Sequence, residues 1–455
     1  MRILFRLQGG YGLGDIVQHS IVLQHLRRYR PDWVIDVHAP RGPASALVGL
    51  CERVITTDKE EAEVVYDQVL NLRLHEHYLG AWDRPDTKVS YVLRSVFGID
   101  AYDPDLGQTK CSCTQRDLHA ARRYLRHVAP EKEDGRFGAV LLHYTGGSSK
   151  HKKDLQHWQV EEVVGLLKKA GRTPVVLDMQ GECPFVDQKT VFSPRPGAND
   201  IWGSFGNAEA GIMAGLIRSS EAFLGIDSGP GKIASTTQTP TLIVWTRHHP
   251  LNYHDPAPNT THLIPRGWKD TPRFEDERKT QFFLANYAHR EYQGDHGLVS
   301  EALLWLAMTL GCDRNETAVK FVIPQDRQAV TWCLLKLRGL AQNRPIEVYV
   351  SGDPRFPLEA LDIVRGFPRL IRKAEITPLP VHQGPERPQD TRGHYLYVAE
   401  GVRDGYHYLI PNNCFERGLG LDRWLPDVPI DREVDQALHA YPWYPPSDET
   451  LAGLK

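Results

Sequence analysis

Short apolar runs alternate along this chain with longer segments whose apolar residues recur at helical spacing. Residues 3–7 form an apolar run that meets a glycine cluster at residues 9–15, and residues 16–29 then carry apolar side chains near helical spacing. A second apolar run follows at residues 34–37. Because a buried strand, a glycine turn, an amphipathic helix and another strand make a βαβ unit, this start predicts a parallel sheet.

The same alternation recurs in two later series. The further predicted strands are 54–57, 64–70, 138–143, 174–178, 222–226, 241–245, 319–323, 346–350 and 395–399, and the further predicted helices are 160–169, 208–219 and 329–340, with another starting near Pro230. Strands that alternate with helices favour the α/β class with parallel sheets. We therefore predict three α/β units, residues 1–130, 131–315 and 316–455.

Composition and charge narrow the class of protein. Of the 455 residues, 41% are hydrophobic and 24% charged, which excludes a disordered or coiled-coil protein. The formal net charge of −3 gives no support to nucleic acid as a partner. No apolar stretch is long enough to span a membrane, the first residues are too interrupted for a signal peptide, and seven cysteines indicate no disulfide framework. These features predict a cytoplasmic protein without a transmembrane segment.

The first glycine turn joins a strand to a helix. It contains Gly10, Gly12 and Gly14, but a dinucleotide fingerprint would need a further glycine where Asp15 stands, and no P-loop lysine follows. One interpretation is a tight turn with Asp15 as the N-cap of the helix. The other is a floor for substrate with Asp15 facing a cleft. A carboxylate at a helix N-terminus is stabilised as the anion, so a basic role for Asp15 would require compensating desolvation.

The second glycine turn follows the predicted strand 222–226. It presents Asp227, Ser228, Gly229, Gly231 and Lys232, and a helix starts within it. Backbone N–H groups at a helix start bind anions, and a diphosphate would suit this turn, with the lysine reaching the same phosphates. The alternative is an ordinary strand-to-helix loop with a solvated lysine.

A basic cluster leaves the predicted strand 138–143. Thr145 and Gly146 come first, and Lys150, Lys152 and Lys153 follow. Small polar residues beside lysines suit a phosphate or the charge of a departing group. The alternative is a flexible, solvated basic loop.

Three segments together resemble glycosyltransferase family 9, which includes the ADP-heptose:lipopolysaccharide heptosyltransferases. The segments are Arg6-Leu7 with Leu13-Gly14-Asp15, then Thr145-Gly146 with a downstream lysine and His157-Trp158, and then residues 214–219 and 224–230 with Thr239-Pro240-Thr241. The resemblance covers roughly residues 1–310, and the third segment is the most specific.

The resemblance implies a GT-B fold, in which two Rossmann-like domains face each other across a cleft. Residues 1–130 would hold the acceptor, residues 131–315 would hold the nucleoside-diphosphate sugar, and residues 316–455 would be an additional α/β domain of unassigned role. The family inverts the anomeric configuration and needs neither a metal nor another cofactor. By position, Asp15 matches its general base and Lys153 the lysine that stabilises the donor phosphates.

Further positions match the family's donor site, with two departures. Asp227 matches its acidic residue, and Ser228 and Gly229 match the start of the diphosphate cradle. Lys232 stands where the family commonly has histidine, and Gly231 where it has a bulkier residue, so heptose and other hexose-like sugars both stay open as the transferred group.

Other activities remain alternatives on the sequence alone. A sugar-nucleotide epimerase can share the GT-B architecture, and a non-catalytic nucleotide-sugar-binding or assembly protein would use the same donor site. A metal hydrolase is disfavoured because His143 and the pair at 248–249 are isolated and no H-E-x-x-H spacing occurs. The acceptor, a glycan or another hydroxyl-bearing molecule, is left open.

Overall fold

The structure is a computed structural model. It describes residues 1–7, 12–72, 88–100, 103–146, 153–178, 183–184, 210–246, 249–266, 277–312, 318–341, 344–353, 355, 358–378, 406–411, 420–425 and 428–440. Three parallel sheets follow one another along the chain. The expected α/β class with parallel sheets is confirmed.

The first sheet has four strands in the order β3-β2-β1-β4. The strands are β1 (Arg2–Arg6), β2 (Val34–His38), β3 (Arg53–Ile55) and β4 (Gln68–Asn71). The helices in this part of the chain are α1 (Leu13–Tyr29), α2 (Arg41–Ala44), α3 (Asp58–Ala62), α4 (Lys88–Phe97) and α5 (Gln115–Val128), of which α5 packs in the core of the second sheet. Ile3 and Phe5 on β1 share one core with Ile16 and Ile21 on α1. Because α1 is the element that follows β1 in the chain, its start lies at the carboxyl end of β1.

The second sheet has six strands in the order β10-β9-β8-β7-β5-β6. The strands are β5 (Phe137–His143), β6 (Thr173–Val176), β7 (Ser220–Ile226), β8 (Thr241–Val244), β9 (Thr260–Pro265) and β10 (Ala288–Tyr292). The helices in this part of the chain are α6 (His157–Lys169), α7 (Ala210–Arg218), α8 (Gly229–Ser235), α9 (Pro250–Tyr253), α10 (Glu277–Asn286) and α11 (Gly294–Leu310). The central strands β5 and β7 are buried along their whole length. Continuous burial is typical of a parallel strand covered on both faces.

The third sheet has four strands in the order β13-β12-β11-β14. The strands are β11 (Val319–Ile323), β12 (Ile346–Ser351), β13 (Ile371–Thr377) and β14 (Tyr406–Tyr408), and the helices are α12 (Arg327–Ala341), α13 (Glu359–Arg365) and α14 (Arg432–Leu438). Phe321 and Val348 pack in one core with Leu334 and Trp424. The predicted strand 395–399 lies outside the described residues.

The contacts divide the chain into two compact units. The first consists of Met1–Leu155, Leu167–Tyr292 and Met308–Gly311, so it holds the first two sheets. The second consists of Gln156–Leu166, Gln293–Ala307 and Cys312–Lys455. The three-domain division and the GT-B arrangement stay predictions. Among the helices that the structure describes, none is long and apolar enough to cross a membrane.

Candidate functional site

The turn after β7 is built as the sequence predicts. The strand ends at Ile226, and the Ser228 hydroxyl accepts a hydrogen bond from the Gly231 N–H at 3.4 Å, which caps α8. A Cβ on Gly231 would come within 3.1 Å of the Ile226 carbonyl oxygen, so the tight turn favours glycine there. Because α8 starts at the carboxyl end of a parallel strand, its first N–H groups lie where ligands bind in such sheets.

Lys153 reaches the same turn from the end of β5. Its Nζ donates to the Asp227 carbonyl oxygen at 2.6 Å, although only 9% of the residue is exposed. Its stem crosses Gly146, where a Cβ would stand 2.7 Å from Lys153 Cε. The Gly146 N–H in turn donates to Asp154 Oδ1 at 2.8 Å. Glycine at 146 therefore makes room for the buried lysine.

Lys232 connects α8 to the first helix of the chain. A Cβ on Gly14 would come within 2.9 Å of Lys232 Cδ, and a Cβ on Gly229 would come within 2.7 Å of Leu13 Cβ. Lys232 is 5% exposed, and its Nζ donates to Gln18 Oε1 on α1 at 2.9 Å. The first turns of α1 and α8 are therefore in van der Waals contact, and a lysine lies between them.

Asp15 lies in the first turn of α1 but does not cap it. The interpretation of Asp15 as the N-cap is wrong, because the helix begins at Leu13 and Gly12 occupies the N-cap position. The Asp15 N–H donates to the Gly12 carbonyl oxygen at 3.0 Å, which closes the first turn. Asp15 is half-buried, and a carboxylate at this position is favoured by the helix dipole.

His143, which is isolated in the sequence, is a neighbour of Lys153 in the structure. It is the last residue of β5, its ring is buried, and its Nδ1 has no hydrogen-bond partner among the described residues. Burial, and then the positive charge of Lys153, lower the pKa of His143 to about 4. A neutral imidazole therefore lies beside the lysine at neutral pH. The only signal in the sequence was the position at the end of a buried strand.

The structure describes all but two of the site residues predicted from the sequence, and these lie in one region of the fold. The structure brings together Thr145, Gly146, Lys153, Asp227, Ser228, Gly229, Gly231 and Lys232 at the carboxyl ends of β5 and β7, with Gly12, Gly14 and Asp15 on the α1 turn. Gly10 and Lys150 lie outside the described residues.

A histidine-carboxylate cluster in the first sheet has the spacing of a metal site. His38, Asp58 and Glu61 offer ligand atoms within 4.8 Å of one another. Glu61, however, already accepts from Arg6 Nε at 2.9 Å and lies 2.5 Å from His38 Nδ1. The arginine supplies the positive charge that a metal would otherwise bring, so an ion-pair network explains the cluster.

A cavity of about 580 Å³ lies at the other end of the second sheet. It is lined by Arg136, Arg218 and residues 236–239. These residues precede β5, β7 and β8, so the cavity is at the amino ends of the strands. The lysines and helix starts described above lie at the carboxyl ends, where parallel sheets bind ligands.

The chemistry of the lysine site is that of anion binding. Two buried ammonium groups and the first turn of α8 supply positive charge and hydrogen-bond donors at one edge of the sheet. Such groups are worth more out of water than at the surface, and they suit a diphosphate better than a neutral ligand. A half-buried carboxylate on α1 adds a proton acceptor within the same unit.

Comparisons with known proteins give matches only among solved structures. No protein-family model matches the sequence, and no curated protein matches it. A glycosyl transferase family 9 structure from Veillonella parvula DSM 2008 is similar over 68% of this chain and 97% of its own, at 14% identity and a TM-score of 0.49. E. coli ADP-heptose LPS heptosyltransferase II is similar over 63% of this chain and 99% of its own, at 12% identity and a TM-score of 0.40.

A further match is E. coli heptosyltransferase WaaC with ADP. It is similar over 68% of this chain and 100% of its own, at 14% identity and a TM-score of 0.38. The resemblance predicted from the motifs is confirmed to this extent.

Proposed function

We propose that this chain is a glycosyltransferase that moves a sugar from a nucleoside-diphosphate donor to an acceptor hydroxyl. The observation that carries the proposal is that Lys153 Nζ reaches the turn that starts α8, while Lys232 leaves this turn and lies against the first turns of α1. Charged groups of this kind stabilise a departing diphosphate, because they already point at the place where negative charge develops. The transferred sugar is heptose or another hexose-like sugar.

The proposed roles follow from position. Lys153, which is fixed on the Asp227 carbonyl, and Lys232 bind the two phosphates together with the N–H groups of the α8 turn. Asp15 accepts the proton of the acceptor hydroxyl as that oxygen attacks the anomeric carbon in line. Attack opposite the departing diphosphate inverts the configuration, and the lysines supply the charge that a metal supplies in other transferases. The acceptor binds on the side of Gly12 and Gly14.

The base is tested by Asp15→Asn. We expect turnover to fall at least a hundredfold, because proton acceptance by a positioned group contributes about 10²–10⁴ in rate. Nucleoside-diphosphate affinity should stay within severalfold of the unchanged chain, since the phosphates contact the lysines. The measurement pairs sugar transfer with calorimetric titration. Undiminished turnover would remove Asp15 from this role.

The donor site is tested by thermal unfolding with ADP, GDP, UDP, CDP and TDP. A ligand at about 100 times its dissociation constant stabilises the folded protein by roughly 2.7 kcal/mol. Lys153→Met keeps the stem and removes the charge, so it should abolish the shift, whereas Lys168→Met, at an exposed position on α6, should retain it. An absence of any shift with these ligands and with intact nucleotide sugars would defeat the proposal. Isomerised donor without acceptor would instead identify an epimerase.

A further inference from the structure

We infer that Gln18 and Asp255 are positioning residues that set the place of the Lys232 ammonium in the phosphate site. The inference rests on the proposed function, since Lys232 is a donor-binding residue there. It adds two side chains that neither the glycine turns nor the basic cluster contains. Neither of them touches the ligand in this scheme, because both act through Lys232.

The three side chains form a hydrogen-bonded chain. Lys232 Nζ donates to Gln18 Oε1 at 2.9 Å, and Gln18 Nε2 donates to Asp255 Oδ2 at 2.9 Å. Gln18 is 1% exposed and Asp255 is 4% exposed. Burying a polar side chain costs free energy unless it is hydrogen-bonded, so conformations that break these two hydrogen bonds are disfavoured.

The side-chain amide of Gln18 can make both hydrogen bonds in one orientation only. A lysine ammonium has donors and no acceptor, and an ionised carboxylate has acceptors and no donor. The carbonyl end of Gln18 must therefore face Lys232, and the NH₂ end must face Asp255. Asp255 fixes this orientation, and the orientation in turn fixes an acceptor for Lys232.

Helix α1 holds Lys232 at two points. Gly14 lies under the lysine stem, and Gln18 accepts from its ammonium. These two residues are four positions apart and therefore lie on one face of the helix. Without Gln18 the stem would still rest on Gly14, but the ammonium would lose the contact that directs it.

A neutral amide between Lys232 and Asp255 has a consequence for anion binding. A carboxylate in direct contact with the ammonium would compete with a phosphate for the same charge. Through Gln18, Asp255 acts at the distance of a whole side-chain amide, and Coulomb attraction falls with distance. An ammonium also has three donors, so the bond to Gln18 does not exclude a phosphate oxygen. The arrangement positions the lysine for a diphosphate.

The inference is tested by exchanging the amide and the carboxylate. Gln18→Glu places two carboxylates in hydrogen-bond contact, so one of them must take up a proton. We expect its affinity for the best nucleoside diphosphate to fall at least tenfold at pH 8 and to recover partly as the pH is lowered to 6. Gln18→Met removes both hydrogen bonds and should lower affinity at every pH.

The double variant Gln18→Glu with Asp255→Asn separates positioning from folding. The new amide at position 255 can donate to the new carboxylate at position 18, and that carboxylate can accept from Lys232, so the hydrogen bonds and the net charge return. Midpoints of urea unfolding should therefore recover toward those of the unchanged chain. Diphosphate affinity should stay at least tenfold below that of the unchanged chain, because a carboxylate now contacts Lys232 directly.

Gln24→Glu is the matched control. Gln24 lies on the same helix, and its NH₂ donates to the carbonyl oxygens of Ser20 and Gln108 rather than to a charged group. Its variant should bind with unchanged affinity and unchanged pH dependence. The titratable residues next to Gln18 and Asp255 along the chain, Asp15, His19 and His254, are present in every variant, the control included.

Two results would overturn the inference. One is additive unfolding energies for the substitutions at 18 and 255, which would show that these side chains are not coupled. The other is diphosphate affinity in Gln18→Glu and Gln18→Met equal to that of the control. If the unchanged chain bound none of the diphosphates, the proposed function would fail, whereas the coupling of the hydrogen-bonded chain would still be measured by unfolding.

Discussion

Gly229 and Gly14 allow the first turns of α1 and α8 to pack against each other, because neither residue has a side chain. A Cβ on Gly229 would meet Leu13 at 2.7 Å and the Gly14 backbone nitrogen at 3.1 Å. Gly229→Ala should therefore destabilise the fold by about 1–3 kcal/mol, as overpacking does. Urea unfolding measures this loss.

Gly165→Ala is the same substitution as Gly229→Ala, but at a position with free space. Gly165 lies inside α6, and a Cβ there would meet nothing within 4 Å. Because alanine favours helix over glycine by up to about 1 kcal/mol, this variant should be more stable than the unchanged chain. Equal effects at the two positions would show that the α1–α8 contact is not tight.

Residues of the site differ in how far the sequence could predict them. Asp227, Ser228 and Lys232 are neighbours in one turn, so a local pattern sufficed to group them. Gln18 and Asp255 are 237 positions apart, and no spacing in the sequence relates them. The predicted N-cap of α1 lies three residues late because Asp15 is a better capping residue than glycine, and the local preference was misleading.

At the scale of elements, a buried ion network lies between α6 and the third sheet within the second unit. Glu162 on α6 accepts from Arg344 Nη1 at 2.8 Å, and its other oxygen lies 2.9 Å from His407 Nε2 on β14. Burial opposes ionisation of Glu162, but the contacts with His407 and Arg344 outweigh it and lower its pKa to about 2.

Removing the arginine tests this network. Arg344→Met should cost about 3–5 kcal/mol, because Glu162 would keep a buried charge without its cationic arginine partner. Adding Glu162→Gln should regain much of that loss, since no uncompensated charge then remains. Chemical unfolding of the two single variants and the double variant gives the coupling. A double variant no more stable than Arg344→Met would contradict the assignment.

Strands with an apolar run were predictable, at the centre and at the edges of the sheets, whereas polar strands were not. Buried strands such as β5, β7 and β11 each contain an apolar run, so the sequence placed them within one or two residues. The strand β10 reads Ala-His-Arg-Glu-Tyr and lies at the edge of its sheet, where one side lacks a neighbour among the described strands. A polar edge strand of this kind has no apolar run in its sequence, and it forms because its backbone pairs with the neighbouring strand.

At the scale of the whole molecule, buried histidines should make the fold sensitive to mild acid. Burial lowers the pKa of His249 and of His262 to about 3, and that of His143 to about 4. An unfolded histidine titrates near 6.5, so from about pH 6.5 down to these values the unfolded chain binds more protons. Stability is therefore full above pH 6.5 and falls with pH below it.

His262→Gln tests this dependence while keeping an acceptor for the Trp245 indole N–H, which now donates to His262 Nδ1 at 2.9 Å. Between pH 6 and 4.5 the slope of unfolding free energy against pH should decrease by about 1.4 kcal/mol per pH unit. His127→Gln, at an exposed position on α5, should leave the slope unchanged. The same slope in both variants would contradict this account.

The second compact unit is built from segments that are far apart in the chain, and this has a consequence during synthesis. Residues 156–166 belong to that unit, but the rest of it begins far later in the chain, and its described part extends to residue 440. At about 5–20 residues per second, the ribosome needs roughly 6–25 s to make residues 167–292, which separate this segment from the next part of the unit. During that time the side chain of Trp158, which ends up buried against the ring of His407, lacks this neighbour. A nascent chain stalled near residue 315 would therefore present an apolar helix surface to chaperones, and its release would depend on translation being completed.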